Sequence, residues 1–153
     1  MKSQKILISA CLLGHDVKYD GKNNSILENP FIKKLLSLDM VISFCPEVEG
    51  GLPIPRLKSE IINNKVINIE KKDVTKEFLL GAEKTLEIVQ KNDIKIAIMK
   101  SKSPSCGRDF IYDGKFTKSL IQGDGVTVRA LKRIGIKVFM EDELAEAEKN
   151  IFK

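Results

Sequence analysis

Four short stretches of the chain are nearly unbroken in apolar, largely β-branched residues: 5–12, 40–44, 94–99 and 136–140. Each is the length of a buried strand. Between them the apolar positions change to a helical period. "NPFIKKLLSL" opens on Asn29-Pro30, with proline at a tolerated first-turn position. From Asp73, "DVTKEFLLGAEKTLEIVQKN" repeats Val74, Phe78, Leu79, Ala82, Leu86 and Val89 on one helical face. "GVTVRALKRIG" runs from Gly125 to a helix-stopping Gly135, and "EDELAEAEKN" makes a last, charged helix. Strands apolar on both faces and alternating with helices predict an α/β domain: a three-layer α/β/α, Rossmann-like arrangement with a mostly parallel sheet. Two insertions break the alternation. "EIINNKVINI" has the period and central turn residues of a hairpin, and "FIYDGKF" carries an Asp-Gly turn.

At 153 residues the chain is one domain's worth, and no repeat, low-complexity tract or linker divides residues 1–153. No apolar run approaches the ~20 residues of a membrane span. The basic, then apolar start "MKSQKILISACLLGHD" reads as a first buried strand rather than a signal peptide, because no small-residue cleavage site follows. The expected location is the cytoplasm. A net charge of +5 raises the question of a nucleic-acid partner. The positive residues are nearly all lysines spread along the chain, aromatics are 6%, and tryptophan is absent. That pattern argues against a phosphate-gripping groove, so a nucleic-acid partner is not expected. Nothing in the sequence sets the oligomeric state.

The cysteines change the picture further. Cys11, Cys45 and Cys106 form no CxxC pair, which excludes a thioredoxin motif or a zinc knuckle. Each follows a predicted strand: "ISACLLG", "VISFCPEVEGGLP", "IAIMKSKSPSCG". In a parallel sheet the carboxyl ends of the strands share one edge, where ligands bind. Strands about 4.8 Å apart bring three such thiols within reach of one another. Separately each reads as a small buried hydrophobe; together they predict one site. Two metals suit such a set. Zinc would need a fourth ligand, His15 or a carboxylate. An iron–sulfur cluster takes three cysteines and leaves one iron open. A cysteine phosphatase is excluded, because "LLGHDVK" after Cys11 supplies no arginine for phosphate.

Polar groups surround these thiols. Glu47 lies two residues past Cys45, where neighbouring negative charge would favour proton transfer near neutral pH. Ser103 lies three residues before Cys106. Gly50, Gly51, Pro53 and Pro55 shape a loop ending at Arg56, a residue suited to an anionic group. "QGDGVT" opens a helix whose N–H groups could face an anion.

"SACLLG", "YDG", "CPEVEGGLPIPR", "SPSCG", "IYDG" and "GDGVT", in this order, resemble the DUF523 family, whose characterised members are thiouracil desulfidases (TudS-like). The resemblance runs from Lys5 to about Glu143. One departure is Val17-Lys18 before "YDG", where the family often has Cys-Arg; that cysteine is therefore dispensable here. The resemblance implies a [4Fe-4S] cluster held by Cys11, Cys45 and Cys106, with a fourth iron open to the sulfur of a thiolated pyrimidine. It further implies Glu47 and Ser103 as the catalytic residues of a non-redox hydrolysis to uracil and sulfide. Arg56, Lys100 and Ser105 are the candidate substrate-binding residues, and a phosphorylated substrate such as 4-thio-UMP is the expected preference over the free base. The competing functions are a metal- or cluster-stabilised binding module without turnover, and a desulfidase of thiolated tRNA.

Overall fold

The computed structural model describes residues 4–152. Four parallel strands make the central sheet: β1 (Ile6–Ser9), β2 (Val41–Phe44), β5 (Ile96–Met99) and β8 (Lys137–Met140), in the order β2-β1-β5-β8. Ile6 pairs with Val41 on one side and Ile96 on the other. Alternation across β1 and β5 sorts the side chains into two layers. Ile6, Ile8, Ile96 and Ile98 pack with Phe31, Ile32 and Leu35 of α1 (Pro30–Ser37) and Ala147 of α5 (Leu144–Ile151). Leu7, Ala97 and Met99 face the other way, onto Val89 of α3 (Thr75–Lys91) and Val128 and Leu131 of α4 (Val126–Arg133). Full burial of such side chains stabilises by roughly 1.5–3 kcal/mol each, which is why these strands read as continuous apolar runs. The three-layer α/β/α, Rossmann-like expectation holds.

Two antiparallel ribbons lie outside the sheet. β3 (Ser59–Ile62) and β4 (Lys65–Asn68) close through Asn63 and Asn64, with φ of 50° and 64°. Both central residues left-handed is the tight hairpin turn that asparagine tolerates. The second ribbon, β6 (Phe110–Tyr112) with β7 (Leu120–Gln122), departs from expectation. Asp113-Gly114 is not its turn; the connection runs from residue 113 to 119. Glu60 Oε1 accepts the N–H groups of Gly114 (3.0 Å) and Phe116 (3.1 Å), holding the chain out as a loop.

The first predicted strand is also shorter than expected. It ends at Ser9, and Ala10–Leu13 turn into a 3₁₀ helix stopped by Gly14 at φ 87°. "CPEVEGG", read as a loop, begins with a one-turn helix, α2 (Pro46–Glu49), led by Cys45 with proline at its first position. Among the described residues no helix is long and apolar enough to cross a membrane.

Candidate active site

The strand order changes direction between β1 and β5, and a doubly wound sheet opens its ligand crevice at such a point, beyond the carboxyl strand ends. A cavity of about 310 Å³ lies there. Cys11, from the 3₁₀ turn after β1, Cys45, directly after β2, and Cys106, in the loop after β5, all line it. So do Glu47 and Ser103. Residues from three distant stretches thus meet as the parallel strand ends predict.

Glu47 is held at both oxygens. Arg56 Nε donates to Oε1 at 3.0 Å, and Ser105 Oγ donates to Oε2 at 2.8 Å. Ser103 Oγ stands 3.4 Å from Oε2 and 3.0 Å from Ser105 Oγ. Ser103 Oγ also accepts the backbone N–H groups of Ser105 (3.1 Å) and Cys106 (3.0 Å). Those donors leave its hydroxyl proton to point at Ser105 or Glu47. The result is a hydrogen-bonded chain, Glu47–Ser105–Ser103, whose middle member, Ser105 Oγ, also stands 3.5 Å from Cys106 Sγ.

The backbone around the chain is fixed by close approach. A Cβ on Gly81 of α3 would lie 2.0 Å from Pro46 O, and one on Gly50 would lie 2.0 Å from Glu77 O. Two glycines therefore let α2, with Cys45 at its head and Glu47 in its turn, sit directly on α3. The "SPSCG" loop is pinned by α4: Gly125 N–H donates to Gly107 O at 2.7 Å, Val126 to Pro104 O at 2.8 Å and Thr127 to Ser105 O at 3.0 Å. These bonds correct one expectation. The N–H groups at the start of α4 are used by the loop and are not offered to an anion.

Arg56, Lys100 and Ser105, the candidate substrate contacts, all line the cavity, each engaged by protein groups. Arg56 also donates to Val17 O at 2.9 Å and Pro53 O at 3.2 Å, with only 6% of its side chain exposed. Lys100 pairs with Glu141 at 3.0 Å. Ser105 is buried against Glu47. The polar cavity residues that sequence reasoning missed include Tyr19, Lys58, Glu60, Tyr112 and Lys118. Tyr19 and Tyr112 sit in the "YDG" and "IYDG" motifs, and Glu60 is a charge inside an apolar hairpin strand; Lys58 and Lys118 carried no signal.

The thiols fit a soft metal cluster better than a single ion. Burial, with the neighbouring Cys45 next, pushes the Cys11 thiol up to about 11. Burial pushes Cys106 up to about 12 and raises Cys45. Such groups become thiolates when cationic metal compensates the buried charge. A zinc ion would draw its sulfurs to within about 4 Å of one another, given Zn–S near 2.3 Å. Among the described residues no three Cys, His, Asp or Glu side chains surround a single-ion position. His15 is exposed and does not line the cavity. Three thiols spread around one cavity match a cluster in which each holds a different iron.

Comparison with known proteins places the chain in a family. The family model described as 2-thiouracil desulfurase matches residues 6–143. The chain is 36% identical over 149 residues to the uncharacterized protein YbbK of Bacillus subtilis (strain 168), covering 91% of this chain and 97% of that one. It superposes with a TM-score of 0.94 on the solved structure of the [4Fe-4S]-dependent thiouracil desulfidase TudS (DUF523Vcz), at 41% identity and 97% coverage of each. From the first core strand through the segment after β8, then, this chain belongs to the 2-thiouracil desulfurase family.

Proposed function

We propose that this protein is a [4Fe-4S]-dependent desulfidase that replaces the sulfur of a thiolated pyrimidine with oxygen from water, releasing sulfide without net redox change. The observation that carries this reading is the meeting of Cys11, Cys45 and Cys106 with Glu47 and Ser103 in one cavity. When bound through these three cysteines, the cluster supplies a soft iron, open to exogenous sulfur, that polarises a C=S bond.

The protein's own groups then do the proton work. Glu47 Oε2 takes a proton from the attacking water, while Arg56 on Oε1 keeps the carboxylate turned toward the cavity. Ser103 Oγ, cradled by two backbone N–H groups, hydrogen-bonds and orients the base and carries protons to and from Glu47 through Ser105. In sum the C=S carbon gains a bond to water oxygen and loses its bond to sulfur. Thiouracil and water become uracil and hydrogen sulfide, and no electron donor is needed.

The substrate is a thiouracil-type small molecule, with sulfur at C2 or C4 or in a nucleotide such as 4-thio-UMP. Arg56 and Lys100 are occupied by Glu47 and Glu141, so a phosphate would draw instead on Lys58, Lys102 and Lys118 at the cavity wall. The test is anaerobic reconstitution with iron and sulfide, followed by incubation with 2-thiouracil, 4-thiouracil, 4-thio-UMP and thiolated tRNA. Stoichiometric uracil and sulfide from a small substrate, only with the loaded protein, is the expected result. A loaded protein that binds these compounds unchanged is a binding module, and turnover confined to tRNA would overturn the small-molecule reading.

A further inference from the structure

Glu60 is a buried carboxylate that the reaction chemistry leaves unused. It lies in β3, only 6% exposed, and lines the cavity together with the cysteines. Oε1 is satisfied by the N–H groups of Gly114 and Phe116. Oε2 accepts no hydrogen bond and enters no ion pair among the described residues, although Lys58 and Lys118 line the same cavity. Among the described residues Oε2 is not one of the sealed, unpartnered atoms of the interior, so it remains accessible and free to take a donor in the cavity that Glu60 lines. Glu47, the other carboxylate lining the cavity, already has donors on both oxygens. A ligand with an N–H or O–H therefore finds its free carboxylate acceptor at Glu60.

We infer that Glu60 is a specificity-determining residue, whose Oε2 accepts a hydrogen bond from the thiopyrimidine while Oε1 holds the 113–119 loop against the cavity wall. This rests on the desulfidase reading for the identity of the ligand. A thiouracil ring brings the right chemistry. Its N3–H flanks both sulfur positions, C2 and C4, so a fixed acceptor there orients either C=S bond. A nucleoside brings sugar hydroxyls as a second source of the same donor chemistry. Because Oε1 anchors the loop, filling Oε2 also couples ligand binding to the wall that carries Tyr112 and Lys118.

Glu60→Gln separates the two functions of this side chain. The amide oxygen can still accept from Gly114 and Phe116, but an NH₂ group replaces the acceptor that faces the ligand. In the loaded protein the substitution is expected to raise KM for 4-thiouracil about ten- to a hundred-fold, the range for a hydrogen bond to a charged group, with kcat and Tm little changed. N3-methyl-4-thiouracil should bind the wild type worse by a similar factor and lose nothing more in the variant. Normal binding of the free base with a raised KM confined to 4-thiouridine would assign the contact to the sugar. Unchanged KM for base and nucleoside alike would overturn the inference and leave Glu60 as a loop anchor. Dissociation constants for uracil, the product, read the same contact without turnover. A protein that turns nothing over but binds uracil in a Glu60-dependent manner refutes the desulfidase reading and keeps this one.

Discussion

At the scale of single residues, the site depends on how one carboxylate is held. In the proposed mechanism Glu47 carries the proton and is no cluster ligand, so Glu47→Gln should keep full iron content while turnover falls roughly 10²–10⁴-fold. Near-wild-type turnover at full iron would reduce Glu47 to a structural partner of Arg56 and Ser105. On the same account Arg56, which donates to Glu47 Oε1, acts through that carboxylate rather than on the substrate. With side chains only 6% and 14% exposed, Arg56 and Glu47 form a largely buried pair. Removing the guanidinium leaves a buried charge uncompensated, which typically costs about 3–5 kcal/mol. Arg56→Ala should lower Tm and cut kcat about a hundred-fold through misplacement of Glu47, equally for 4-thiouracil and 4-thio-UMP. A raised KM for the nucleotide alone would instead identify Arg56 as a phosphate contact.

Single elements position these residues, and here the sequence was legible only in part. The four core strands announced themselves because burial on both faces demands continuous apolar runs. The common edge of the cysteines follows from their places after those strands. Two local features stayed hidden. Four residues of "PEVE" carry no helical period, and α2 exists because Gly50 and Gly81 allow backbone to lie on backbone. Likewise Asp113-Gly114 has the composition of a tight turn, but Glu60, over fifty residues earlier, captures that segment. Long-range contacts of this kind leave no local pattern. The α2 packing makes its own prediction. Gly81→Ala drives a methyl to 2.0 Å from Pro46 O, so α2 must shift. Overpacking of about 1–3 kcal/mol should lower Tm by several degrees and impair cluster loading, since Cys45 heads α2. Unchanged Tm and loading would show that α2 is not seated by this contact.

For the molecule as a whole, the proposed ligation by three thiols would couple stability to the cofactor. In the iron-free protein burial raises Cys11 from 9.0 to about 11 and Cys106 from 9.0 to about 12. Above pH 9 the unfolded chain releases these protons while the folded chain retains them, so stability falls as pH rises from there through the folded values. The slope is about 1.4 kcal/mol per pH unit for each thiol. Denaturant unfolding under reducing conditions should show this loss in the iron-free form and not in the loaded form, whose cysteines are already thiolates. A flat profile for the iron-free form would mean that the thiols are not buried together. The central claim, that water replaces sulfur in this cavity without redox change, has a direct readout. Loaded protein turns over 4-thiouracil in ¹⁸O-labelled water with no electron donor, and the uracil is weighed by mass spectrometry. One ¹⁸O per uracil with one sulfide released is the predicted result; unlabelled product, or turnover only when a reductant is supplied, would contradict it.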